Sequence, residues 1–378
     1  MNSRRRDAAR RCGGLAPKSM SMTPRERIQA ALRHVQPDRT PMFEYVLLSP
    51  LADRFLGRPY AADPSHWAGA LDELGFEGAV RQSAIDRLDL ACLLGHDMMY
   101  VWPNPRAGER DAGLHMPPAT PSDDSIERVK EHTAAAAAAP AGPSDDALLV
   151  YVFLREEMAR RGVDLPILAP AYEHGLWTNV DLMMTMVLDP PTAHEHFRQA
   201  TRRSLAAIEK YVELGVDQIG VGGDFAGNTL MVSPELYRTF IVPQVRLCAD
   251  RIHRHGRWAV NASDGNLAAV LDDFLLGCGV DGYLEIDLHA GMDMRDLKRR
   301  YGARVTLYGS LDCGNVLSFA SPQEVESHTL DCLEAGAGLG GHILCASNAI
   351  TASVPAANYL AALNAYRTFC GLEPFRPR

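Results

Sequence analysis

The chain has 378 residues, 47% of them hydrophobic, and a formal net charge of −9. This length accommodates one large barrel domain with extensions, and the acidic balance with scattered basic residues argues against a nucleic-acid partner. No apolar run is long enough to cross a bilayer, and the eight cysteines include no CxxC pair. Together these features favour reduced thiols in a soluble, cytoplasmic protein.

The first predicted element is a helix that begins at Pro24. Thr23-Pro24-Arg25-Glu26 has the pattern of a capping box with proline at the first helical position. Upstream, residues 1–19 are rich in arginine but lack the apolar core of a signal peptide. We expect a disordered tail, or an upstream start codon, before about Met20, ahead of a single domain over residues 20–378.

Eight short apolar runs follow, separated by segments with the features of helices. Strands that alternate with helices predict an α/β fold with a parallel sheet, and eight strands is the number that closes a (β/α)8 TIM barrel. We therefore predict one (β/α)8 barrel with an N-terminal extension. The predicted strands are 42–46, 98–102, 167–171, 218–222, 258–261, 282–286, 305–308 and 343–346.

The predicted crossover helices carry their own start and stop signals. A long helix is predicted over 192–214, and a second begins at the cap Ser233-Pro234-Glu235, where Pro243 should kink or split it. Ser321-Pro322-Gln323-Glu324 is another capping box. The less regular region 103–143 is predicted to be a surface excursion that ends in a helical stretch.

Acidic residues stand at the ends of several predicted strands. In a parallel barrel the carboxyl ends of the strands meet at one mouth, so these side chains should share a pocket. Asp224 follows Gly222-Gly223, a pair that permits close approach of the backbone to a ligand. Glu285 and Asp287 are two residues apart and should project to the same face. We take Asp224, Asp264 and Glu285 as candidate catalytic residues.

Asp264 has two interpretations. It could cap a helix that begins near Asn266, or it could act in the mouth as a catalytic group or a metal ligand. Asp312 and His289 also lie just beyond strand ends, although His289 could instead lie in an exposed turn before Gly291. A zinc ion in such a site would act as a Lewis acid on an ether or hydroxyl oxygen. The candidate metal ligands are Asp264, Glu285, Asp287 and Cys313.

A polar and aromatic cluster follows the third predicted strand. Tyr172, His174 and Trp177 lie within six residues of chain at the mouth end of that strand. Because loops at this end of a barrel contact the substrate, we predict that these three residues bind it.

Four segments together resemble the uroporphyrinogen decarboxylase superfamily. This superfamily contains tetrapyrrole decarboxylases and methyltransferases of corrinoid-dependent methyl transfer, and its members are (β/α)8 barrels. The likeness covers about Met20 to the C-terminus. The segments are Met22-Thr23-Pro24-Arg25-Glu26-Arg27 with Arg39-Thr40-Pro41, Ser233-Pro234-Glu235-Leu236-Tyr237, Asp264-Gly265-Asn266 and Gly309-Ser310-Leu311-Asp312.

The chain departs from both branches of that superfamily. The decarboxylases grip their polycarboxylate substrate with an arginine-rich N-terminal motif, whereas the corresponding strand here reads Phe43-Glu44-Tyr45. They also carry a histidine after the last strand, where this chain has Asn348. The methyltransferases bind zinc through a His-x-Cys pair and a later cysteine, and the matching positions here are Ala262, Asp264 and Asn348. Glu44 and Asn348 are therefore candidate substrate contacts.

Three functions remain open from the sequence. The resemblance favours a methyltransferase that moves a methyl group from a small methylated substrate, for example a methoxy compound, to a corrinoid carried by a partner protein. A decarboxylase or lyase acting on a tetrapyrrole or a small carboxylic acid would need an arginine or lysine in the mouth. A catalytically silent binding protein is the third alternative. No phosphate-binding or dinucleotide motif indicates a nucleotide cofactor, and we expect a monomer or a homodimer.

Overall fold

A computed structural model describes residues 21–111 and 125–377. Its fold is α/β, with seven parallel strands whose order in the sheet is their order in the sequence. Each of them overlaps a predicted strand, and the predicted tail over residues 1–19 lies outside the described residues. The strands are β1 Met99–Tyr100, β2 Ile167–Glu173, β3 Gln218–Gly222, β4 Trp258–Ala262, β5 Gly282–Leu284, β6 Thr306–Tyr308 and β7 His342–Ile343.

The first predicted strand, 42–46, forms no regular ladder. It lies beside the end of β7, where Met42 makes an isolated parallel bridge to Leu344 and the Phe43 amide donates to the Leu344 carbonyl at 3.1 Å. On its other side, the Asp97 amide donates to the Met42 carbonyl at 2.7 Å, just before β1 begins. This segment therefore contacts both edges of the sheet, beside β7 and beside the start of β1.

A side chain explains why the ladder beside β7 is interrupted. The Ala346 amide donates to the carboxylate Oε2 of Glu44 at 3.2 Å instead of to a backbone carbonyl. Backbone pairing resumes at an isolated bridge between Leu47 and Ile350. A strand pattern in the sequence cannot show this substitution of one acceptor for another.

The helices begin where the sequence signals indicate. Thr23 and Ser321 both form complete capping boxes, with Glu26 and Glu324 as their partners, so both predictions are confirmed. The helices are α1 Pro24–Leu32, α2 Leu51–Leu56, α3 Trp67–Leu94, α4 Ser125–Ala138, α5 Leu149–Arg161, α6 Val180–Leu188, α7 Pro190–Glu213, α8 Val242–Arg254, α9 Met294–Tyr301, α10 Val316–Phe319, α11 Pro322–Gly336 and α12 Ala356–Phe369.

The predicted break near Pro243 is present. A helical turn, Pro234–Leu236, passes into a π-helical segment, Tyr237–Ile241, and α8 starts only at Val242. The irregular turn accommodates Pro243, which has no amide to donate to the preceding turn. The predicted helical stretch within 103–143 is α4.

Helix α1 covers the amino-terminal end of the sheet. Its residues Ile28, Ala31 and Leu32 belong to a buried cluster with inward-facing strand residues, and the Gly341 amide before β7 donates to the Ala31 carbonyl at 3.0 Å. The inner strand residues of this cluster are Leu168, Val260, Leu284, Tyr308 and Ile343. The amino-terminal end is thereby filled, so the carboxyl ends of the strands form the accessible end.

Arginines of the N-terminal motif form ion pairs at the amino-terminal end of the sheet. Arg27 and Arg39 both pair with Asp97, which is fully buried just before β1. Arg25 pairs with Asp164 and Asp217, which precede β2 and β3. These ion pairs join the beginnings of three strands to α1.

The glycine that ends β3 fits closely against the neighbouring strand. Gly222 has φ +146°, and a Cβ there would collide with the side-chain oxygen of Asn261 in β4. The expectation that this glycine leaves room for a ligand is therefore replaced by a packing role against β4. Within the described residues, none of the helices is both long and apolar enough to span a membrane.

Candidate functional site

Four carboxylates meet at the carboxyl ends of four consecutive strands. Glu173 is the last residue of β2, Asp224 and Asp264 follow β3 and β4 by two residues, and Glu285 follows β5 directly. Their charges act on one another: Asp224 and Asp264 raise the pKa of Glu285, and Asp224 raises that of Glu173. We call these four residues the carboxylate cluster. The structure thus brings together all three predicted catalytic residues.

Glu285 lies deepest in the carboxylate cluster. Its side chain is buried, and burial, followed by the charges of Asp224 and Asp264, raises its pKa well above the ordinary value. The Tyr45 hydroxyl hydrogen-bonds to its carboxyl group. Its backbone is left-handed at φ +72°, a conformation that is rare for a residue with a side chain and that concentrates at functional sites. Burial and the neighbouring charges therefore favour the protonated form of Glu285.

Asp264 is half-buried and titrates near neutrality. Burial, then the charges of Asp224 and Asp287, raise its pKa to about 6. The Asn348 amide donates to its Oδ2 at 3.1 Å, so the two positions that the family resemblance aligned with metal ligands do come together. The Asp264 backbone amide donates to Asp224 Oδ1 at 3.2 Å. These bonds fix both carboxylates at the mouth.

The capping interpretation of Asp264 is wrong. Asn266 makes the local contact instead, since its Oδ1 accepts from the Ala268 amide at 3.1 Å. The Asp264 carboxylate bonds to Asn348, more than eighty residues further along the chain. Gly265, at φ +77°, permits this geometry because a Cβ there would meet the Ala226 carbonyl at 2.6 Å.

Asp224 and Glu173 complete the acidic environment. Burial raises the pKa of Asp224, and burial together with the Asp224 charge raises that of Glu173. In the described part of the chain, none of the four carboxylates, nor Asp287, forms an ion pair with an arginine or lysine. Like charges this close favour shared protons over full ionisation.

Two of the predicted substrate contacts face the core. Tyr172 is buried beside Cys248 and Cys278, on the helix side of β2. His174 is also buried, with its ring 5.7 Å from that of Phe225, and burial lowers its pKa to about 4. Because neighbouring strand residues point to opposite faces, Glu173 between them reaches the cluster instead. Trp177 is partly exposed in the loop that follows.

The four predicted metal ligands do not form one site, although Asp264 and Glu285 share the carboxylate cluster and the charge of Asp287 acts on Asp264. Cys313 lies with Ser347, Sγ to Oγ 3.6 Å, and Asp287 Oδ1 accepts from the Ala290 amide at 3.1 Å. Over residues 21–111 and 125–377, no group of three or more His, Cys, Asp or Glu residues is arranged to hold a metal ion. The residues present therefore do not fit the predicted zinc site.

The other strand-end residues have local contacts. Asp312 Oδ1 accepts from the Asn315 amide at 2.9 Å and so begins the turn into α10. His289 is exposed. Burial raises the pKa of the Cys313 thiol, so the thiolate that zinc requires is disfavoured there.

Sequence reasoning missed Tyr45 and Glu173. It selected Glu44, which is buried and turns away from the cluster toward Ala346 and Tyr359. Tyr45, the next residue, hydrogen-bonds to Glu285 and packs edge-on against Tyr100 with ring centroids 4.5 Å apart. Alternation along an extended segment places neighbours on opposite faces, and this signal in Phe43-Glu44-Tyr45 could have identified Tyr45.

The fold and the site together define a class of protein. A parallel α/β sheet with polar residues gathered at the carboxyl ends of its strands is the arrangement of enzymes that bind ligands at this end. The model of the family described as Uroporphyrinogen decarboxylase (URO-D) matches residues 177–369. The chain belongs to this family, as the sequence resemblance predicted.

Known structures give a similar result for the fold. The chain is similar to a methyltransferase from Methanosarcina mazei, with a TM-score of 0.67, 19% identity, and coverage of 92% of this chain and 99% of that one. At this identity the likeness shows a common fold. A D-psicose 3-epimerase crystallised with D-fructose also matches, with a TM-score of 0.38, 11% identity, and coverage of 78% and 94%, which is too low to support an argument. No curated protein matches the chain.

Proposed function

We propose that the chain is a methyltransferase that moves a methyl group from a small methylated substrate, such as a methoxy compound, to a corrinoid carried by a partner protein. The observation that carries this proposal is the gathering of four carboxyl groups at the strand ends, in which burial and like charge raise the pKa of Asp264 to about 6 and that of Glu285 well above its ordinary value. Family membership and the fold shared with a methyltransferase support the same class of reaction.

Demethylation of an ether needs an acid. When the bond between the methyl carbon and the ether oxygen breaks, both electrons stay on the oxygen, which then takes up a proton. A carboxyl group with a raised pKa supplies this proton, a contribution of about 10²- to 10⁴-fold in rate. The corrinoid acceptor supplies the electron pair that forms the new bond to the methyl carbon.

The cluster residues take distinct parts in this reaction. Glu285, held by Tyr45, is the general acid, and Asp264, held by Asn348, is the second proton store. Asp224 raises the pKa of both. Asn348 and Tyr45 are the polar groups that would contact the substrate beside these acids. The buried positions of Tyr172 and His174 support a packing role for them.

The architecture that we propose for this site is a closed (β/α)8 barrel over residues 20–378. Support comes from the segment 41–47, which bonds to β7 on one side and to Asp97 before β1 on the other. A cytoplasmic location is supported by the described cysteines, all of which are free. We retain a monomer or a homodimer as the oligomeric state.

The test is a methyl-transfer assay with isotopically labelled methoxy compounds and a corrinoid protein as acceptor. We expect Glu285→Gln and Asp264→Asn to lower turnover at least about 100-fold. Asp250→Asn is the matched control, because Asp250 is a carboxylate on α8 whose contact is a surface pair with Arg246. Turnover that survives both cluster substitutions would refute the proposed acid.

Two other results would favour the alternatives. Release of carbon dioxide from a carboxylic acid by the purified chain would favour the decarboxylase. Binding of a methoxy compound without any turnover would favour the silent binding protein. Stoichiometric zinc that disappears in Asp264→Ala together with methyl transfer would restore the metal site.

A further inference from the structure

A second polar cavity lies behind the segment 44–47, away from the carboxylate cluster. Its volume is about 40 Å³, which is room for roughly three water-sized groups. Residues of the first segment, of α3 and of the chain around β1 line it, and one side is open. The lining that bears on its chemistry is Glu44, Tyr60, Arg87, His96, Tyr100 and Trp102.

Three polar atoms of this lining lack a partner. Glu44 Oε1, Arg87 Nε and His96 Nε2 make no hydrogen bond within residues 21–111 and 125–377. The three side chains are only 6%, 8% and 8% exposed. Glu44 Oε1 faces the Tyr359 hydroxyl, whereas Arg87 Nε and His96 Nε2 face no such group among the described residues. Buried polar groups in native structures are nearly always hydrogen-bonded, so these two unpaired nitrogens around one cavity indicate a missing polar ligand.

The positive charge of Arg87 indicates that this ligand is an anion. In the described residues it forms no ion pair, although its neighbour Asp86 is bonded to Arg58 and to the Ala61 amide. Its guanidinium lies over the Trp102 ring, 4.7 Å from the centroid. A buried cation without a counter-ion is costly, and a stacked guanidinium presents its planar edge to an anion.

We propose that this cavity binds the carboxylate group of a small organic acid, with Arg87 as its anion-binding residue. A carboxylate matches the guanidinium fork and fits the volume. His96 and Glu44 donate to the carboxylate from the other walls. Burial lowers the pKa of His96 to about 3 and raises that of Glu44 to about 7, so His96 is neutral and Glu44 carries a proton in mildly acidic solution.

The cavity adjoins the carboxylate cluster without being part of it. Tyr45 and Tyr100 line the cavity, and the Tyr45 hydroxyl bonds to Glu285 on the cluster side. An acid bound at Arg87 therefore sits behind the tyrosine pair. This binding does not depend on the proposed methyl transfer, because it is measured directly.

The test is calorimetric titration of the full chain at pH 6 with acetate, with neutral acetamide and with inorganic phosphate. We expect acetate to bind and acetamide not to bind. Arg87→Met should weaken acetate binding at least tenfold, and Arg87→Lys less so. Arg81→Met is the matched control, since Arg81 lies on the same helix, stacks on Phe153 and pairs with Glu156 at the surface. Melting curves establish that each variant is folded.

A pH series adds a second measurement. Groups that face Glu44 are Tyr359 on α12, Cys313 and Cys345 at the strand ends, and Arg87 and His96 across the cavity. Ionised Glu44 repels an anion, so acetate should bind more weakly at pH 8 than at pH 6, and Glu44→Gln should remove this difference. Equal binding of acetate and acetamide, tighter binding of phosphate, or wild-type affinity in folded Arg87→Met or Arg87→Lys would overturn the proposal.

Discussion

The protonation of Asp264 should be detectable in the dependence of stability on pH. Its pKa is raised from 3.8 to about 6, so the folded chain keeps a proton that the unfolded chain loses between these values. Stability must therefore fall as pH rises through this window. Asp264→Asn removes the effect and retains an acceptor for Asn348. We expect its free energy of unfolding to exceed that of the wild type by about 1–3 kcal/mol at pH 8 and to match it near pH 3.5.

Urea unfolding of both proteins across this pH range measures the difference. Asp250→Asn is again the control and should show no such window. A constant difference between Asp264→Asn and the wild type at every pH would mean that packing, and not the proton, distinguishes them.

At the residue scale, the sequence predicted which residues lie at the carboxyl ends of the strands better than it predicted the direction of each side chain. Asp224, Asp264 and Glu285 come together because residues after parallel strands share one mouth. The prediction that Glu285 and Asp287 project to the same face of a strand does not apply. Strand β5 ends at Leu284, and the backbone of Glu285 is left-handed. Cys313, after β6, turns to Ser347 in the loop after β7, and a loop conformation is not encoded in strand periodicity.

At the scale of elements, the N-terminal motif has a structural role. Arg27 Nη1 and Arg39 Nη1 reach Asp97 at 2.5 and 2.7 Å, and the Met42 amide donates to the same carboxylate at 3.0 Å. These bonds join α1, the first segment and β1. The resemblance identified the motif from its local letters, but its partner lies about seventy residues further along the chain and carries no local signal.

Removal of Asp97 should therefore be severe. Among the described residues, Asp97→Ala leaves Arg39 without a counter-ion and Arg27 with Asp38 alone, and breaking a buried ion pair in this way costs about 3–5 kcal/mol. Urea unfolding at neutral pH measures the loss. Asp72→Ala is the comparison, because Asp72 and Arg110 form a surface pair in which both side chains are 63% exposed, and such pairs contribute about 1 kcal/mol or less. Similar losses for the two variants would contradict a buried network.

Helices and strands were predicted correctly where their sequence signals are local. The capping boxes at Thr23 and Ser321 span four residues each and were predicted correctly. Helix α3, by contrast, runs from Trp67 to Leu94 across a non-helical residue, Gly75, and was not predicted. The first strand failed as a regular ladder because Glu44, a side chain, accepts the bond that a backbone carbonyl would have accepted.

At the scale of the whole molecule, closure of the barrel depends on the segment 41–47. If this segment is the eighth strand, the amides of Phe43, Leu344 and Asp97 are held in bonds that open only with the sheet. We expect their hydrogen exchange to be as slow as that of amides within β3 and β4. Exchange of peptides covering 41–47 at the rate of the exposed loop around His289 would indicate an open edge.

The charge of the whole mouth bears on the substrate of the family's name. Uroporphyrinogen III carries many carboxylates, and the residues gathered at the mouth are themselves acidic: Glu173, Asp224, Asp264 and Asp287. In the described residues these groups have no arginine or lysine partner, and the chain as a whole has a net charge of −9. Each close pair of like charges costs about 1 kcal/mol in water and several times more where solvent is excluded.

We therefore expect the purified chain not to decarboxylate uroporphyrinogen III. Arg87 lies with Tyr45 and Tyr100 in the lining of a cavity of about 40 Å³, which admits one small carboxylate and not a tetrapyrrole. The measurement is formation of coproporphyrinogen by protein whose folding has been verified by its melting curve. Turnover of roughly one per second or more, as is ordinary for enzymes, would show that an acidic mouth can accept a polycarboxylate and would overturn the assignment of the carboxylate cluster to methyl transfer.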